Sequence, residues 1–148
     1  MQTVSGNVAW NTMTFAMQIA NVTGAQGVGY DSLDIVGQLT ITGGATIDVN
    51  LDSMGSQAAN FDGLTPFDLI LMSTNTTIAG FDTATFNVNA SNFVNPYGGV
   101  FSVALSLDQT DLYLHYATAV SEPGSLALGA SASLAMAWRA RRRRRSGS

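Results

Sequence analysis

Apolar and polar residues alternate along most of this chain. Met13, Phe15, Met17 and Ile19 are interleaved with Thr14, Ala16 and Gln18, which is the period of a half-buried strand. Ile47, Val49 and Leu51 share one face of a second run, with Asp48, Asn50 and Asp52 on the other. Residues 33–36 and 39–42 read as short strands on either side of Gly37-Gln38. Residues 67–72 are more fully apolar and suit a strand buried on both faces. Phe86, Val88 and Ala90 alternate with Asn87 and Asn89. Phe101, Val103, Leu105 and Leu107 predict one strand face, and residues 112–116 the last strand. Turn signals separate these runs at 21–29, at Gly43-Gly44, at 54–65 and at Asn95-Pro96-Tyr97-Gly98-Gly99.

No helical period appears before residue 124. About eight short strands with turns between them predict an all-β body. Two architectures satisfy that pattern: a β-solenoid resembling a right-handed β-helix, or a two-sheet β-sandwich. No strict repeat is visible, but Asn and Gly recur at the turns, and both tolerate the left-handed conformations that tight corners require. The solenoid is the leading expectation and the sandwich the alternative.

Charge divides the chain. Residues 1–138 hold all ten acidic groups and no basic one, a formal −10, while residues 139–148 hold the six arginines, +6, for the net −4. An acidic body without cations excludes nucleic-acid binding by residues 1–120, because nothing there can replace phosphate counterions. With no Cys there is neither a disulfide nor a thiolate metal site.

The C-terminal part has its own logic. Ser121, Glu122 and Pro123 break the β pattern, and residues 124–138 are uncharged. As a helix that segment spans about 22 Å at about 1.5 Å per residue, short of a hydrocarbon core of about 30 Å. Leu126, Leu128, Leu134, Met136 and Trp138 supply its apolar character, and Trp138 sits where an interfacial belt is expected. Arg139, Arg141, Arg142, Arg143, Arg144 and Arg145 follow as a basic anchor that can snorkel to the interface. Ser125, Gly129, Ser133 and Ala137 recur every fourth residue, a spacing that lets membrane helices approach closely. The organisation expected is therefore a β-rich extracellular body over 1–118, a linker over 119–123, a membrane or sorting helix over 124–138 and a cytoplasmic tail over 139–148. Met1 to Asn7 has no basic start and no apolar stretch, so it does not read as an export leader. The chain then reads as the C-terminal fragment of a longer protein, or as one with a misassigned start.

Two resemblances follow from these residues. Tyr30-Asp31-Ser32-Leu33-Asp34-Ile35-Val36-Gly37-Gln38-Leu39-Thr40-Ile41, with Gly43-Gly44-Ala45-Thr46-Ile47-Asp48-Val49, resembles the coil-initiating phrases of autotransporter-type β-helix passengers. Residues 120–145 resemble the PEP-CTERM sorting signal, a Pro-Glu-Pro motif followed by a membrane helix and a basic end. Ser121 stands where the first Pro is usual, and Glu122 and Pro123 match. That resemblance implies export, membrane insertion through the C-terminal helix, and processing near the motif by an exosortase-type enzyme. A bacterial exported surface or extracellular-matrix protein is the function it implies, with a non-catalytic structural or adhesive body and extracellular polysaccharide as a candidate partner.

Catalytic signals are sparse. His115 is the sole histidine and has no partner evident in the sequence. Asp48 with Asp52, and Asp31 with Asp34, are the carboxylate pairs that sugar chemistry could draw on. A lyase acting on acidic polysaccharide would want Lys or Arg to neutralise its substrate, and the body has neither. Calcium would find oxygen ligands, but no regular binding loop is written in the sequence. No catalytic, cofactor or metal residue is assigned on these grounds. A polysaccharide-acting enzyme, and a soluble protein with a nucleic-acid-binding Arg tail, stand as the alternative functions.

Overall fold

The run with the cleanest alternation, Ile47–Asp52, is a strand whose Ile47, Val49 and Leu51 are fully buried while Asp48, Asn50 and Asp52 are half-open to solvent. The same rule builds the rest of the computed structural model, which describes residues 1–119. Its strands are β1 (Gln2–Ser5), β2 (Val8–Trp10), β3 (Met13–Gln18), β4 (Leu33–Val36), β5 (Leu39–Ile41), β6 (Ile47–Asp52), β7 (Phe67–Thr74), β8 (Phe86–Asn92), β9 (Val100–Leu105) and β10 (Asp111–Ala117). A 3-10 turn at Thr83–Thr85 precedes β8, with Asp82 accepting from the Ala84 N–H at its start. Met1–Thr118 form one compact unit. The all-β expectation holds for this region.

Pairing is mostly parallel between successive passes of the chain. β1 lies beside β4 and β4 beside β7; β2 lies beside β5; β3 lies beside β6 and β6 beside β8. A single parallel bridge from Thr40 to Ala79 brings the third pass alongside β5. Polar side chains tie the passes together. Asn7 Oδ1 accepts from the Gln38 N–H, 31 residues on, at 3.0 Å. Asp48 Oδ1 accepts from Asn87 Nδ2, 39 residues on, at 2.9 Å. Apart from an isolated antiparallel bridge between Ile19 and Tyr30, antiparallel pairing enters where β10 inserts between β7 and β9 and completes the five-stranded order β1-β4-β7-β10-β9.

The inward rows of β2 to β10 form one core. Trp10, Met17, Ile35, Leu39, Ile41, Ile47, Val49, Leu51, Leu69, Met72, Leu112 and Leu114 belong to it, and Phe93, Phe101 and Tyr116 join Phe61 and Phe67 in an aromatic cluster at the β9–β10 side. The Tyr116 hydroxyl donates to Gly63 O at 2.9 Å and accepts from the Gly99 N–H at 3.1 Å, so the largest fully buried side chain has both its polar needs met.

Gly80 lets the third pass approach the second. Its φ is +75°, and a Cβ there would collide with Ile41 O.

Two expectations need correction, and two strands form where the sequence reading assigned none. Leu107 is not on a strand face: β9 ends at Leu105, and Leu107 stands fully exposed in the following loop. Residues 67–72 are not buried on both faces, since Asp68 is exposed and Ile70 only half-covered. β1 and β2 form from residues that carried no clear strand signal.

Candidate functional site

The loop joining β9 to β10 is held by one serine. Ser106 Oγ donates to Asp108 Oδ1 at 2.6 Å and accepts from the backbone N–H groups of Thr110 and Asp111 at 3.1 and 2.9 Å. Gln109 takes a φ of +62°, which lets its N–H return to Ser106 O. Asp108 is thereby acidified: its carboxyl titrates below the ordinary carboxylate value, chiefly because the Ser106 hydroxyl donates to it.

Beside this loop, alternate residues of β10 point outward. Asp111, Tyr113 and His115 form that row, and register sets His115 opposite Asp68 on β7 and opposite Ser102 on β9. A bulge between Leu112 and Tyr113 shifts the pairing to β7, which places Tyr113 against Ile70. The result is an open groove of about 650 Å³ floored by Tyr113 and His115 and walled by Asp68, Asp108, Asp111 and Leu107.

His115 Nδ1 lies 2.5 Å from Asp68 Oδ1. The carboxylate therefore orients the ring, leaving Nε2 as its other nitrogen. Tyr113 titrates above its ordinary range, first through desolvation and then through the neighbouring Asp111, Asp108 and Asp68. With three carboxylates and no Lys or Arg in the body, the groove repels anionic polymers and favours neutral or cationic ligands.

The other candidate carboxylates are elsewhere. Asp48 is engaged by Asn87, Asp52 Oδ1 accepts from the Met54 N–H at 2.7 Å, and Asp31 Oδ2 accepts from the Gln18 N–H at 3.3 Å. None of these three lines the groove. The sequence leaves His115 without a partner; the fold supplies Asp68 from 47 residues away. Strand register is the only signal that joins them. Ser106 shares the groove, but its hydroxyl is directed to Asp108, so the residues do not form a Ser-His-Asp relay.

A second, smaller recess of about 100 Å³ lies between β1, β3 and β4, with the buried Ser32 hydroxyl unpaired beside it. It is polar and has room for ordered water. Among the described residues, no group of three or more His, Cys, Asp or Glu side chains is placed to hold a metal ion, and no helix is long and apolar enough to cross a membrane. The sorting motif (Ser121, Glu122, Pro123), the membrane segment (Leu126, Leu128, Leu134, Met136, Trp138) and the basic anchor (Arg139, Arg141 to Arg145) lie outside the described residues. Compared with models of known protein families, with curated proteins and with solved structures, the chain matches none.

Proposed function

We propose that the chain is a bacterial exported surface or extracellular-matrix protein whose β-body is a structural or adhesive solenoid and whose C-terminus is a PEP-CTERM-like sorting and anchoring signal. The observation that carries the solenoid reading is the parallel register between passes, with β1, β4 and β7 side by side and β3, β6 and β8 side by side. A sandwich is built from antiparallel hairpins, whereas stacked coils pair each strand with its counterpart one coil later. Register spacings of 31 (Gln2 to Leu33) and 34 residues (Met13 to Ile47) between the first two coils, and of 39 (Ile47 to Phe86) between the next two, leave no fixed period for the sequence to display. The export reading rests on the order of the C-terminal parts: Glu122-Pro123, an uncharged segment, then six arginines.

In this account residues 124–138 enter the bilayer, Arg139–Arg145 hold the basic end inside, and cleavage near Glu122-Pro123 by an exosortase-type enzyme releases or re-anchors the body. Membrane fractionation tests the first step. The full chain should pellet with membranes and resist extraction by high salt, and removal of residues 120–148 should leave it in the supernatant. Release of the full chain by salt alone would instead identify a purely electrostatic attachment and refute the insertion.

The His115–Asp68 pair in its groove favours a second reading, an enzyme acting on a neutral or amino-bearing polysaccharide. Turnover of such a glycan that is lost in both His115→Ala and Asp68→Asn would support it. Turnover unaffected by either change, or none across a glycan panel, would remove it.

A further inference from the structure

The groove beside β10 holds an aromatic ring that the core does not use. Tyr97 and Tyr116 pack against phenylalanines of the aromatic cluster, whereas Tyr113 pairs with no ring among the described residues. Its side chain is half-buried on the outward row of β10 and floors the groove. Leu107 stands fully exposed at the rim, and Leu105 is half-covered beside it. An aromatic face and two leucines therefore line one groove.

Three carboxylates frame that surface, and they are not equivalent. Asp68 is bound to His115 Nδ1, and Asp108 accepts from the Ser106 hydroxyl and the Thr110 N–H. Asp111 directs its backbone N–H to Ser106, but its carboxylate receives no hydrogen bond from the described residues. It lies on the same outward row as Tyr113, about 7 Å along the strand. After burial itself, Asp111, Asp108 and Asp68 are what hold the Tyr113 hydroxyl above its ordinary range, so the negative potential of the groove reaches the ring. Among the described residues no three His, Cys, Asp or Glu side chains converge on one point, so the groove does not suit a bare metal ion. Its complement is an organic cation with an apolar face.

We propose that this groove is the adhesive site of the body and that its ligand is an amine-bearing polysaccharide, a hexosamine polymer with free amino groups. The inference rests on the adhesive reading of the body and supplies its partner. A protonated amine is matched to the Asp111 carboxylate and to the negative face of the Tyr113 ring. The apolar face of a sugar ring is matched to Tyr113 and Leu107. Sugar hydroxyls are matched to His115 Nε2, the polar atom left to the ring once Nδ1 is on Asp68. An N-acetylated polymer offers no cation, and an acidic one is repelled by Asp68, Asp108 and Asp111. At about 650 Å³ the groove falls within the roughly 300–1,000 Å³ of ligand clefts, and its open form lets a polymer pass through.

The test is calorimetric titration of the full chain, in nonionic detergent micelles, with a glucosamine oligosaccharide. Physiological salt screens the diffuse attraction of an acidic body. The wild type should bind this ligand, and should bind its N-acetylated counterpart and oligolysine at least about tenfold more weakly. Asp111→Asn and Tyr113→Leu should each weaken binding about tenfold, whereas Tyr113→Phe keeps the ring and the affinity. Asp82→Asn removes the same charge at an exposed position outside the groove, retains a turn cap and should leave the affinity unchanged. Unchanged far-UV circular dichroism verifies that each variant folds. No binding of the glucosamine oligosaccharide would overturn the proposal and leave adhesion to another surface. Equal binding of oligolysine, or an equal loss in Asp82→Asn, would also overturn it by reducing the effect to bulk charge. Mass spectrometry of the oligosaccharide after incubation separates the proposal from the reading it rests on. An intact ligand is expected; shortened chains that disappear with His115→Ala would replace adhesion by turnover while the amine site stands.

Discussion

The side chain of Asn95 closes both backbone polar groups of Ala58. Its Oδ1 accepts from the Ala58 N–H at 2.7 Å and its Nδ2 donates to Ala58 O at 3.0 Å, and both residues are buried. One amide thus substitutes for a strand neighbour at a corner where no strand runs. Asn95→Ala leaves a buried N–H and a buried C=O without partners, and should cost about 2–4 kcal/mol. Asn95→Asp should also destabilise, because the atom facing Ala58 O can no longer donate. Urea denaturation of the two variants checks both statements.

Two register-matched positions of different burial should respond differently to truncation. Ile35→Ala removes a fully buried side chain and should cost about 2–5 kcal/mol. Val4→Ala, at the register-matched but exposed position, should cost less than about 1 kcal/mol. Thermal or urea unfolding of the pair measures the difference directly.

Gly80→Ala should be destabilising out of proportion to one methyl group. The substitution puts a Cβ into Ile41 O and asks a non-glycine residue to hold a φ of +75°. A cost of about 1–3 kcal/mol is expected. Gly98→Ala is the control, since a Cβ there meets nothing within 4 Å.

Stability should fall at both pH extremes. Asp62 and Asp108 titrate below 3.8 in the folded protein, Asp62 chiefly because the Thr65 hydroxyl donates to it and Asp108 because of Ser106. A depressed folded pKa means that the unfolded chain takes up protons first. Their stabilisation is therefore present above about pH 4 and is lost as the pH drops through the folded values. Tyr113 titrates above 10.0, so its contribution is present below that pH and is lost as the pH rises through the folded value. Urea midpoints measured against pH should decline on both sides, with the acid limb shallower in Asp62→Asn and Asp108→Asn and the alkaline limb shallower in Tyr113→Phe.

Local alternation made much of the fold readable. Ile47–Asp52 matches its predicted strand because its two faces differ sharply in polarity and one of them is buried. Gln2–Ser5 was unreadable because a short polar segment becomes a strand only through the ladder that β4 offers it. Leu107 misled because alternation continued past the residue at which the chain turns. The groove was the least visible feature. His115 and Asp68 meet through cross-strand register, which no local pattern encodes.

The central claim is that the C-terminal segment directs export and is removed. Its most direct measurement is intact-mass spectrometry of the cell-surface protein after expression of the full precursor with its exosortase-type enzyme. The account predicts a mature C-terminus near Glu122-Pro123, with Arg139–Arg145 gone and the full-length mass restored when the enzyme is inactivated. A surface-exposed protein that keeps Arg139–Arg145 in the presence of the active enzyme would contradict it.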